Sequence, residues 1–139
     1  MQYSKYGEVA IEATRHIQET GESPGNAWNK FAEEIFDNET SSARDKGCPR
    51  NAYLGLCEDG LVDGVPEGNY VEKRKGKKAN KSYAIQAVHM LRSNPSLENL
   101  RPKNLWDRVM EVMEDGPDNH NNQMDVVLAL WHEDMIVKA

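Results

Sequence analysis

The chain has 139 residues and a net charge of −6, with 38% hydrophobic and 29% charged residues. Those proportions fit one globular domain able to bury a core without staples, and they exclude a disordered or fibrous chain. No apolar run approaches the roughly 20 residues of a spanning helix, and no stretch of signal-peptide length follows Met1. We therefore expect a single compact domain over 1–139, no membrane partner and a cytoplasmic location.

The two cysteines, Cys48 and Cys57, are too few for a disulfide scaffold. Neither has a second Cys or His at the spacing of a structural zinc site, so no metal or other cofactor is expected. The acidic balance weakens a nucleic-acid reading but does not remove it, because charge can be segregated along a chain.

In chain order, the first helix is expected over residues 6–18, with Ala10, Ile11, Ala13, Thr14 and Ile17 at helical spacing and Gly21 as its C-cap. Ser23 then caps a second helix with Pro24 at its first position. Its inner face is Ala27, Trp28, Phe31, Ile35 and Phe36. A polar loop runs to Gly47. Pro49 starts a third helix that carries Ala52, Tyr53, Leu56 and Cys57 inward and stops at Gly60. Leu61, Val62 and Val65 are extended, Pro66-Glu67-Gly68-Asn69 has turn chemistry, and Tyr70-Val71 reads as a return strand. The fourth helix is expected from Lys81 to Arg92, the fifth from Pro102 with Leu105, Trp106, Val109, Met110 and Met113 inward, and the last from near Asn122 with Met124, Val127, Leu128 and Trp131 inward. Met135-Ile136-Val137 is too apolar to hang free.

The two halves resemble each other. Val9-Ala10-Ile11-Glu12-Ala13 matches Tyr83-Ala84-Ile85-Gln86-Ala87. Pro24-Gly25-Asn26-Ala27-Trp28 matches Pro102-Lys103-Asn104-Leu105-Trp106. Leu54-Gly55-Leu56-Cys57-Glu58-Asp59-Gly60-Leu61-Val62 matches Leu128-Ala129-Leu130-Trp131-His132-Glu133-Asp134-Met135-Ile136. Blocks in the same order point to a duplicated unit. The expected fold is mainly α: two repeated three-helix units, 6–65 and 81–139, joined by a basic linker 66–80, with a small winged-helix-like β-hairpin after the third helix. Cys57, aligned with Trp131, reads as core.

Features found in one half only are the functional candidates. Residues 41–50 bring Ser41, Ser42, Arg44, Lys46 and Arg50 to a helix start, whose free N–H groups suit a phosphate, a carboxylate or a nucleic-acid backbone. The plainer alternative is a capped loop. Cys48 stands at the same start, beside Lys46 and Arg50, which favours a thiolate. A nucleophile also needs a base, and none of His16, His89, His120 and His132 shares a motif with it. The order of helix, Gly-Asn-Tyr turn and basic run resembles the recognition helix and wing of a winged helix. There Arg50 and Asn51 would meet base edges, and Lys73, Arg74, Lys75, Lys77 and Lys78 would meet phosphates. The alternative is a solvated linker. Asp115, Asp118 and His120 share a loop but lack the ordered spacing of a calcium site.

Ser41-Ser42, Lys46-Gly47-Cys48-Pro49, Leu54-Gly55-Leu56-Cys57, Gly68-Asn69-Tyr70 and residues 123–131 together resemble a small bacterial and mobile-element family of unknown function. That resemblance spans nearly the whole chain. It implies one compact unit and a prokaryotic or viral setting, and it brings no activity with it.

The leading expectation is a non-enzymatic binding or regulatory module for DNA or another polyanion. The runner-up is a protein-interaction module, an inhibitor or adaptor from a mobile element. A small Cys48-dependent enzyme is third.

Overall fold

The computed structural model describes residues 3–37, 44, 46–71, 78–113, 120 and 122–137, except for the side chains of Lys78 and Ala79. Among them are six α-helices: α1 Lys5–Thr20, α2 Pro24–Ile35, α3 Gly47–Glu58, α4 Lys78–Ser93, α5 Pro102–Val112 and α6 Gln123–His132. A 3-10 turn, Pro95–Asn99, separates α4 from α5. The chain is mainly α, as expected, and no described helix is long and apolar enough to cross a membrane.

The helix ends follow local chemistry. Ser4 caps α1 and Ser23 caps α2, each accepting a backbone N–H of the first turn, from Gly7 and Asn26. Gly21 ends α1 in the left-handed region, at φ 75, where lack of a Cβ removes the steric cost. α3 begins at Gly47, ahead of the expected Pro49. A proline in the first turn lacks an N–H that would have no helical partner anyway, so it does not delay the start. α4 likewise begins at Lys78, ahead of the expected Lys81.

Periodicity put most of the expected residues inside, but Phe31, Ile35, Met110, Met113 and Trp131 are only partly buried. Trp28 (1% exposed) lies 5.4 Å, ring to ring, from Tyr53, and Tyr83 meets Trp106 edge-on at 4.9 Å. Two buried hydroxyls pair along this core, whereas the buried Asn51 Oδ1 has no hydrogen-bond partner among the described residues. Thr14 donates to the Ala10 carbonyl at 2.8 Å, so the Tyr53 hydroxyl is the donor in its own 2.8 Å bond to Thr14. Cys57 is fully buried, and burial pushes its thiol up to about 12.

The hairpin expected after the third helix is not what Val62 forms. It pairs instead with Ile136, as an isolated antiparallel bridge. Asp63 N donates to Met135 O and Val137 N to Leu61 O, both at 2.8 Å. Tyr70 and Val71 form no return strand. Their N–H groups point at the Glu58 carboxylate, at 3.0 and 3.2 Å, and the Tyr70 hydroxyl bonds Pro66 O at 2.6 Å.

The ends of α3 and α6 have the same hydrogen bonds at the aligned positions. Gly60 N bonds Cys57 O and Leu61 N bonds Leu56 O; Asp134 N bonds Trp131 O and Met135 N bonds Leu130 O. Gly60 (φ 71) and Asp134 (φ 62) are both left-handed. The C-terminal extensions of α3 and α6 meet at the bridge. Their starts meet through Lys46 and Asn122. The two helices therefore lie alongside each other in the same direction.

Candidate functional site

The segment from Lys46 to Asn51 enters the structure at that shared start. Lys46 is the N-cap residue of α3 and Asn122 that of α6, and neither side chain caps its own helix. They bond each other instead: Lys46 Nζ donates to Asn122 Oδ1 at 2.6 Å, and the ammonium also lies 5.7 Å from the centre of the Tyr6 ring. Asn122 has φ 69, a left-handed conformation that asparagine tolerates better than most residues. Its Nδ2 donates to Asp125 Oδ2 at 2.9 Å. A carboxylate in the first turn of α6 complements the positive end of the helix dipole.

Two further residues extend the junction. Gln123, 1% exposed, donates from Nε2 to Asn80 Oδ1 at 3.0 Å, which ties the first turn of α4 to the first turn of α6. His120 stacks near Trp106, with ring centres 5.6 Å apart, and its Nε2 lies 3.8 Å from Asp125 Oδ1. Burial holds its pKa below the ordinary value, helped by Lys46 and Lys103 and opposed by Asp125 and Asp107. The ring is therefore mainly neutral at neutral pH.

The candidates named from the sequence divide into three groups. Lys46 lies in the junction. Arg50 reaches back to α2, donating from Nε to Asn29 Oδ1 at 3.1 Å, and Arg44 is half-buried. Asn51 is inside, 2% exposed, with its amide out of reach of a base edge. Ser41, Ser42, Lys73, Arg74, Lys75 and Lys77 lie outside the described residues, as do Asp115 and Asp118; Lys78 opens α4. Cys48 is half-buried, and among the described residues no hydrogen bond or ion pair links it to a histidine. Among the same residues no cluster of three or more His, Cys, Asp or Glu could hold a metal ion.

Three other described cations are engaged with carboxylates. Arg15 bonds Glu12 and Glu133, Lys30 bonds Glu34, and Lys81 bonds Glu58 and Asp59. Sequence reasoning missed Asn80, Asn122, Gln123 and Asp125. The one available signal was the expected start of the last helix near Asn122, the counterpart in the second half of the helix start at residues 41–50.

The free N–H groups of two helix starts, beside a lysine, favour negative charge. Among the described residues the junction holds no arrangement for general acid–base work beyond the His120 and Asp125 contact, which is longer than a hydrogen bond. Neither the curated proteins nor the solved structures match the chain. One family model does, over residues 3–137, and the chain belongs to that family, a family of unknown function designated DUF6979.

Proposed function

We propose that this protein is a non-enzymatic binding module that takes a polyanion, DNA first, where α3, α4 and α6 begin. One observation supports it. Hydrogen bonds through the neighbours Asn122 and Gln123 chain the starts of these three helices, from Lys46 to Asn80. The Lys46 segment and Lys78, the last cation of the basic run, thereby come into one neighbourhood although they are distant in sequence. Five cations, Lys73, Arg74, Lys75, Lys77 and Lys78, crowd into residues 73–78 of a chain with net charge −6. Segregation of that kind suits phosphate contact. The binding needs no wing and no base-reading Asn51, so contact would be with the backbone rather than with base edges.

We also propose that the halves arose by duplication of a three-helix unit. The matching hydrogen bonds at the ends of α3 and α6 support this alongside the sequence blocks.

The test is fluorescence anisotropy with labelled duplex and single-stranded DNA at low and near-physiological salt. Saturable binding that weakens steeply with salt is expected. Changing the five cations to Ser should abolish it, or flatten the log–log salt slope by up to about 4, while circular dichroism stays unchanged. No binding at low salt would end the polyanion reading and leave the protein-interaction module to be pursued.

A further inference from the structure

The halves exchange helices. α3 packs most extensively on α4, across the half boundary, and α1 packs on α6 as well as on its neighbour α2. In the two exchanges a glycine lies tightly against the facing helix, and the two contacts fall at aligned positions. A Cβ on Gly55 would stand 2.5 Å from Lys81 Cβ, so α3 and α4 are in backbone-level contact there. On the other side, a Cβ on Gly7 would stand 2.9 Å from Ala129 Cβ, where α1 meets α6.

Polar ties follow the same exchange. Lys81 of α4 is held by Glu58 and Asp59 at the end of α3. Tyr3 and Arg15, ahead of and within α1, are held by Glu133 after α6, at 2.7 and 3.3 Å. The Val62–Ile136 bridge and the Lys46–Asn122 bond also cross the boundary. Surfaces of this kind, apolar at the centre and reciprocal about an axis, are those of an isologous dimer.

We infer that each half is completed by the other as two subunits complete a dimer. The partner this interface fits is a second three-helix half, and the covalent link between Val71 and Lys78 is not needed to hold the fold together. This is independent of the polyanion reading.

The experiment places a specific protease site between Val71 and Lys78 in the full chain, with the uncut protein as control. After cutting, the halves should co-elute at the intact mass with unchanged helicity. They should melt in one transition whose Tm rises by about 4 °C per tenfold increase in concentration, because unfolding has become dissociation; the uncut chain should show no such dependence. Halves that part at micromolar concentration, folded or unfolded, would overturn the inference. So would two transitions independent of concentration.

Discussion

Lys46 and Asn122 close the gap between the starts of α3 and α6, with the ammonium donating to the amide oxygen at 2.6 Å. The other end of the same amide is used on Asp125. Asn122→Ala removes both bonds and leaves a residue with a Cβ in the left-handed region. It should lower stability by about 2–3 kcal/mol, and Asn122→Gly, which is at ease in that region, by about 1–2 kcal/mol. Urea unfolding measures both. Equal losses would mean that the backbone conformation contributes nothing.

The left-handed residues after α3 and α6 give a paired prediction. A Cβ on Gly60 would meet Glu67 Cγ at 2.7 Å as well as being strained at φ 71. Gly60→Ala should therefore cost about 1–2 kcal/mol. Asp134 already carries a Cβ at the same conformation. Asp134→Gly should be the less damaging of the two, because relief of backbone strain offsets part of the cost of a freer unfolded chain. Thermal melts of the two variants would contradict this if the glycine variant at 134 were the more damaged.

Glu58 sets a pH dependence. Partial burial raises its pKa, but the Lys81 ammonium and the N–H groups of Val71 and Tyr70 outweigh that and hold it below the ordinary 4.5. With the folded value below the unfolded one, the carboxylate's contribution is complete above the unfolded pKa and is lost as pH falls through the folded one. The Tm should drop on acidification below about pH 4.5. Glu58→Gln should lower the Tm at neutral pH and lessen that acid drop. A variant that keeps the wild-type slope would show that this carboxylate is not part of it.

The cysteines should differ in reactivity. Cys57 is fully buried with its thiol pushed up to about 12, whereas Cys48 is half-buried. Iodoacetamide at mildly alkaline pH should label Cys48 in the native protein and Cys57 only when α3 opens, at a rate that rises with denaturant. Simultaneous labelling in buffer would place the opening of α3 at low cost.

The capping residues and most of the core were legible because their causes are local. Ser23-Pro24, Gly21 and Gly60 act within one turn, and the apolar spacing of α2 and α5 selects Trp28 and Trp106 directly. Phe31 and Ile35 of the expected α2 face are only partly buried, since the width of an apolar stripe does not say how far a neighbour covers it. The partner of Val62 was not legible. A bridge needs two short extended pieces, and Ile136 is distant in sequence, whereas Tyr70-Val71 stood close and had turn residues before it. The junction was hidden for a similar reason. Asn80, Asn122 and Gln123 look like solvated loop chemistry, and only the docking of α4 and α6 buries Gln123.

The exchange of helices has a consequence for synthesis on the ribosome. The inner face of α3 emerges long before α4 and α6, the helices that cover it, have been made, and Val62 must wait for Ile136. The first half leaves the exit tunnel with its apolar side open, so the native state is reached only after α6 has followed. Over that interval the nascent first half is a ready substrate for a chaperone, or for the first half of a neighbouring nascent chain.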